Sequence, residues 1–342
     1  MRRRFLAGLL LALAALCHAA HAQHYAEFRS WIVGCDNVAR CEARGFGDEL
    51  PYVELRLTRD AGEAAPELRL LASERAAMPA PRLDGVALPD WPRGWRLESA
   101  EGNTTATTRD PTAIAAFLER ARDARRLTLG EGPEGVPLEG LVASLLRMDD
   151  VQGRVGTPGA LVAGRGQGRA PEARPLPRLA AGRAPVLGPG EAEMLLAAAR
   201  RDGAAALQVA ECERTRPGIP PDEAHALDRS TALVLLGCGS AAYQDWALPF
   251  LVTRTGHRAT VLWLDLPTMA ARPPRDRVLM NAGFDGPTSR LGTMSKGRGM
   301  ADCGMSAAWA WRDGAFRLAS LARRDRCGGE PGDWLILWRT AE

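Results

Sequence analysis

Residues 52–73, YVELRLTRDAGEAAPELRLLAS, alternate apolar and polar positions on both sides of a glycine-containing turn. A strand places successive side chains on opposite faces. This period of two therefore predicts a hairpin with Val53, Leu55 and Leu57 on its buried face. Further on the period changes. Asp110 followed by Pro111 is a helix start, a carboxylate that can accept orphan backbone N–H groups ahead of a ring that has no N–H to leave unpaired. Ile114, Phe117, Leu118 and Ala121 then recur at helical spacing. A short strand is predicted over 126–129 and a second helix over 138–150, with Leu141, Val142, Leu145 and Leu146 inward. Strands with two helices packed on them make an N-terminal α+β unit.

Residues 164–190, GRGQGRAPEARPLPRLAAGRAPVLGPG, are rich in Gly, Pro and Arg and carry no apolar period, which is the composition of a linker. Beyond it a helix over 191–201 is stopped by Gly203. Strands are predicted at 206–212, 232–238, 248–254, 259–266, 307–311, 315–321 and 334–340. Short strands separated by Gly, Pro and Asp read as a mostly antiparallel, sandwich-like β unit. The expected fold class is thus α+β. The expected division is 1–22 leader, 23–163 N-terminal domain, 164–190 linker and 191–342 C-terminal domain.

The leader is read from Arg2, Arg3 and Arg4, an apolar run over 5–16, and Ala20-His21-Ala22, an A-x-A pattern that places cleavage after Ala22. Leu16 before Cys17 argues against lipid attachment. No later stretch approaches the roughly 20 apolar residues of a membrane-spanning helix, so no transmembrane segment is expected. The expected destination is the periplasm or beyond. The chain has 44 Lys+Arg and 41 Asp+Glu; the leader removes three Arg and no acid, leaving 41 of each. A nucleic-acid-binding domain carries a basic excess because phosphate neutralisation drives its affinity, so that class is excluded.

Cys17 leaves with the leader, and Cys35, Cys41, Cys212, Cys238, Cys303 and Cys327 remain. An even count in an exported chain reads as disulfides, and proximity along the chain couples Cys35 with Cys41, Cys212 with Cys238 and Cys303 with Cys327. A zinc site is not expected: C-x-x-C is absent and His225 and His257 stand singly.

Four strings, taken in order, carry a resemblance: SWIVGCDNVARCEARGF at 30–46, RMDDVQGRVGTPGAL at 147–161, GFDGPTSRL at 283–291 and KGRGMADCGMSAAWAWRDGAFRL at 296–318. The chain resembles the bacterial exported proteins catalogued as domain of unknown function eleven-seventy-six, over essentially its whole mature length. That resemblance implies an envelope protein with no established activity and carries over no catalytic residue. The W-x-x-x-C opening, the hairpin and VPLEGLVASLL at 136–146 are also similar to the invasion-associated locus B proteins, which implies binding rather than catalysis.

Three groups of residues are candidates for chemistry. Lys296 is the chain's single lysine, and with Arg298 it sits in the loop KGRGMADCG, where the two could hold an anion. A P-loop would place Lys after the glycines and ahead of a helix, and this loop does neither. Gly297 and Gly299 otherwise serve as turn residues, with Arg312-Asp313-Gly314 as the tip of a following hairpin. Asp149 and Asp150, beside Arg147 and Arg154, close a helix where acids are unfavourable against its dipole and ask for a cationic partner. They could instead be a carboxylate pair; the string lacks a calcium loop's alternating oxygen ligands. Trp309 and Trp311 share one strand face and Trp334 and Trp338 another. Exposed, the first pair could stack on sugars; buried, they are core.

No G-x-S-x-G or S-x-x-K occurs, the cysteines are paired, and His24, His225 and His257 lack catalytic neighbours in sequence, so no catalytic residue, metal or cofactor is assigned. The reading is a non-enzymatic envelope binding module for a protein or glycan partner. Its alternatives are a periplasmic hydrolase using Asp149 or Asp150 and a structural or assembly role.

Overall fold

The computed structural model describes residues 24–341 except 48–51, 75–76, 101, 163, 165, 181, 216, 265 and 267–276; the expected leader, residues 1–22, lies outside them. Strand accounts for 40% of the chain and helix for 14%, so the molecule is β-rich and mostly antiparallel, and the α+β label fits it only loosely.

The N-terminal half begins with β1 (His24–Phe28), β2 (Trp31–Cys35), β3 (Cys41–Phe46), β4 (Val53–Arg59) and β5 (Glu67–Ala72), each paired antiparallel with the next. Two short strands, β6 (Pro81–Leu83) and β7 (Val86–Ala87), leave this sheet, and the hairpin of β8 (Arg96–Ala100) and β9 (Asn103–Thr108) rejoins it. The resulting seven-stranded order is β1-β2-β3-β4-β5-β9-β8. Then follow α1 (Pro111–Ala121), β10 (Arg126–Leu129), β11 (Gly135–Pro137) and α2 (Leu141–Val151), with β11-β10-β6-β7 forming a small second sheet.

The expected alternation in the hairpin holds: Val53, Leu55 and Leu57 are buried with Leu68 and Leu70 under the helices. Asp110 caps α1 by accepting the Thr112 N–H, and Ile114, Phe117, Leu118 and Ala121 are its buried face. In α2 the buried positions are Leu141, Ser144, Leu145, Met148 and Asp149, while the expected Leu146 is exposed. The helix is turned so that Met148 takes the inward place. Trp31 lies flat on Gly45, where an added Cβ would come within 2.4 Å of the indole, and its Nε1 donates to Pro137 O at 3.0 Å.

The C-terminal half opens with α3 (Glu191–Asp202) and α4 (Ala204–Val209). The sequence pattern predicts a strand over 206–212, where the structure has the greater part of α4. The run AAALQV has alanine's high helix propensity, and the alternating apolar residues behind it belong to a helix instead. Next come β12 (Glu223–Ala226), β13 (Thr231–Ala241), β14 (Gln244–Thr253), β15 (Ala259–Val261) and β16 (Leu279–Met280), which form one sheet. The last sheet runs in chain order through β17 (Gly283–Asp285), β18 (Arg290–Lys296), β19 (Gly304–Arg312), β20 (Ala315–Arg324) and β21 (Leu335–Arg339). Both faces of β13 are buried: Ala232, Val234 and Leu236 pack on Leu195 of α3, and Leu233 and Leu235 pack with Leu291 and Trp311 of the last sheet. That is why its sequence reads as a continuous apolar run.

The halves meet through the outer face of the seven-stranded sheet. Ile32, Phe46, Tyr52 and Leu71 close over Leu335 of β21, and Gly34 leaves room for Leu335 and Leu337. Around this apolar patch lies a buried ionic cluster. Arg44 bonds Asp333 at 3.0 Å and also pairs with Glu42; Arg56 reaches Glu54 at 2.6 Å and contacts Asp333; Arg324 bonds the Tyr52 hydroxyl at 3.3 Å. Three guanidiniums against three carboxylates leave the cluster neutral, which makes the burial of so many charges tolerable. Asn37 and Arg339 exchange two further hydrogen bonds across the junction. The segment expected as a linker runs along the surface touching both halves: Ala170 N–H donates to Glu63, and a parallel bridge pairs Arg178 with Ala341, in which Leu179 N–H donates to Ala341 O and Ala341 N–H to Pro177 O.

Candidate ligand cleft

The loop between β7 and β8 reads LPDWPRGW, residues 88–95. It folds back on itself through two tight turns, Arg93 N to Asp90 O at 2.6 Å and Trp95 N to Pro92 O at 2.9 Å, with Gly94 at a φ of 77° that side chains other than glycine rarely adopt. The turns bring Trp91 and Trp95 together with ring centroids 5.3 Å apart. Trp95 in turn meets Phe117 of α1 edge-on at 6.4 Å. The three rings form one continuous aromatic surface, supported by the helix that Asp110 and Pro111 start.

A cavity of about 240 Å³ opens over this surface. Leu88, Ala113 and Ala116 complete its apolar wall, and Asp90, Arg93, Asp110, Thr112 and Arg120 stand on its rim. Four buried or half-buried indoles elsewhere donate to protein acceptors: Trp31 to Pro137 O, Trp311 to Asp228, Trp334 to Ala301 O and Trp338 to Leu318 O. Among the described residues the indole N–H groups of Trp91 and Trp95 have no acceptor, and the Arg120 guanidinium has no acid. Asp110 uses one oxygen on the helix cap at 2.9 Å, and Asp90 is 4.0 Å from Arg93.

The residues singled out from sequence lie elsewhere and do not converge. Asp149 is fully buried against Arg59 at 2.6 Å and also accepts the backbone N–H of Leu161 at 2.8 Å. Gln152 bonds Arg59 at 2.6 Å, and Arg154 donates to the carbonyls of Gly62, Ala64 and Gly159. Burial draws the Arg59 guanidinium below its usual pKa, with the Asp149 carboxylate opposing the shift. Asp149 and Arg154, expected as candidate binding residues, are thus both buried, their side chains engaged by protein partners. Asp150 is exposed and paired with Arg147 at 2.7 Å, so the adjacent acids are not a carboxylate pair.

Trp309 and Trp311, read as core if buried and as a sugar-stacking pair if exposed, take the first of these places. Both are buried, at 2% and 7% exposure, because the β19 face that carries them is covered by core residues of neighbouring elements. Lys296 is half-buried, with its backbone N–H on Gln244 at 2.6 Å, whereas Arg298 is committed to Asp302 at 2.8 Å, which cancels the charge an anion would need. Asp313 and Gly314 form the hairpin tip with φ of 50° and 74°.

The cysteines join as Cys35–Cys41, Cys212–Cys238 and Cys303–Cys327. Asp302 lies beside the last pair, close enough for a three-ligand metal group, but sulfurs joined to each other offer no thiolate. His225 pairs with Glu223 at 2.9 Å and packs on Phe284, without a nucleophile in that arrangement.

The cleft was not found from sequence. Its signal was the pair of tryptophans closing WPRGW, a turn-forming stretch where large apolar side chains have little core to fill.

A β-rich, disulfide-bonded chain with no helix long and apolar enough to cross a membrane, among the described residues, is consistent with an exported protein. Its family is defined at the level of sequence. Residues 25–341 match the family described as Protein of unknown function (DUF1176), and the chain belongs to it. It is 30% identical over 341 residues to the Uncharacterized protein YpfG of Escherichia coli (strain K12), covering 95% of each chain. No solved structure matches.

Proposed function

We propose that the protein is a non-enzymatic binding module of the cell envelope whose ligand is a neutral glycan, held in the Trp91–Trp95–Phe117 cleft. The observation that carries this reading is the aromatic surface with unpartnered indole N–H groups inside a rim of mixed charge. A pyranose ring has an apolar C–H face that stacks on indole and an equatorial ring of hydroxyls that both donate and accept. The rim offers donors in Arg93, Arg120 and the indoles, and acceptors in Asp90 and Asp110. An anionic ligand would meet two carboxylates and a cationic one two guanidiniums. An aromatic cage for a quaternary ammonium needs rings spread around the cation; these rings touch one another and make a platform. The leader expected at residues 1–22 and the three disulfides agree with a periplasmic setting.

The test titrates the mature chain with neutral oligosaccharides of glucose and of N-acetylglucosamine, followed by tryptophan emission and calorimetry. Saturable binding is expected, weakened about tenfold or more by Trp95→Ala, given the energy a stacked ring supplies. Absence of saturable binding to every oligosaccharide by the folded protein overturns the reading.

A further inference from the structure

The seven-stranded sheet has an open edge. β8 pairs only with β9, and all five of its residues are exposed. Among the described residues no strand lies along its other side. The row of paired residues that crosses the sheet runs Phe28, Trp31, Gly45, Leu55, Leu70, Ala106 and Leu97. Trp31, Leu55, Leu70 and Ala106 of this row belong to the N-terminal core, yet the row ends on Leu97 at 43% exposure. The core's apolar face therefore reaches the edge and stops there without cover.

We propose that β8 pairs antiparallel with β8 of a second copy about a two-fold axis at Leu97, joining the two sheets into one. The sequence of the strand selects this register. A two-fold that keeps the inner faces on the same side must pass through a residue, because directly opposed residues share a face. An axis at Arg96 or Glu98 sets like charges opposite each other, which is unfavourable. An axis at Leu97 sets Leu97 against Leu97 of the second copy, extending the apolar row. It also sets Arg96 against Glu98 twice, once on each side of the axis. Such an interface is isologous and closed. Charged residues are a common guard on exposed edges, since they penalise arbitrary pairing. Here the guard is self-complementary and admits one partner, the same strand. Arg96 and Glu98 lie 3.4 Å apart within one copy, at 73% and 55% exposure, so each is free to be shared. Trp95 directly precedes β8, so the dimer would bring two clefts to one axis and let a repeating ligand be held at both. The dimer itself does not depend on the glycan reading.

Sedimentation equilibrium of the mature chain over a wide concentration range tests this. The mass is expected to rise towards twice that of the protomer. Arg96→Glu opposes two acids twice over and should weaken association about tenfold or more; Glu98→Arg should do the same with two bases. The double swap Arg96→Glu with Glu98→Arg restores opposite charges and should restore the dimer. Thermal melts check that each variant folds. A protomer mass at every concentration overturns the proposal. So does a dimer that Arg96→Glu leaves unchanged, or one that the double swap does not recover.

Discussion

At the scale of the residue, two neighbouring aspartates show how little a side chain's identity fixes its role. Asp149 lies in a network drawn from β4, α2 and the following loop, and Asp150 stands in solvent with Arg147. Asp149→Ala leaves the buried Arg59 charge without its partner and should cost about 3–5 kcal/mol, seen as a lower melting temperature. Asp150→Ala breaks an exposed pair and should cost about 0–1 kcal/mol. The Arg147–Asp150 pair was readable because it spans three positions of one helix. Arg59 was not, because the pairing depends on how β4 packs beneath α2, about ninety residues away in the chain. The tryptophans divide in the same manner. Trp309 and Trp311 alternate like surface residues of a half-buried strand, and only the elements packed over β19 make them core.

At the scale of the element, capped helices and two-sided alternation were legible and compromises were not. α1 announces itself through Asp110-Pro111, and the 53–59 strand through its period. α4 does not, because six residues with alternating bulk fit either geometry until α3 and Gly203 position them. Gly203 approaches the Phe250 ring so closely that an added Cβ would lie 2.5 Å from it, so the turn between α3 and α4 needs glycine. Cysteine pairing was legible because each partner lies near in sequence. The Cys212–Cys238 bridge ties the end of α4 to β13 across 26 positions, whereas Cys35–Cys41 spans six within a β-hairpin. In the chain-entropy account, replacing both cysteines by serine should cost about 3.5 kcal/mol for the longer loop and about 2 kcal/mol for the shorter. Urea unfolding midpoints of the two double variants would rank them.

At the scale of the whole molecule, the junction between the halves sets the response to acid. Burial alone would raise the Glu54 carboxyl, but Arg56, Arg44 and Arg324 hold it below its usual 4.5. Asp333 is likewise pushed up by burial and held down, below its usual 3.8, by Arg44 and Arg56. A group depressed on folding binds its proton more readily in the unfolded chain, so its contribution is present above the ordinary carboxylate range and lost as pH falls through and below it. The melting temperature should therefore drop steadily below about pH 4.5, and Asp333→Asn, already weakened, should show a shallower drop. An equal slope in both proteins would place the acid-sensitive groups elsewhere.

The outer face of the seven-stranded sheet is completed by Leu335 and Leu337, which pack at Gly34, and by Arg339, which bonds Asp36 and Asn37 some three hundred positions earlier in the chain. A chain that emerges from its N-terminus onward would present Ile32, Phe46 and Leu71 bare until nearly all of it had appeared. The Cys35–Cys41 bridge, formed within a hairpin, can close long before that moment. The early half would thus wait in a partly oxidised, sticky state for its cover. Such a span is the interval in which a holding chaperone would matter most.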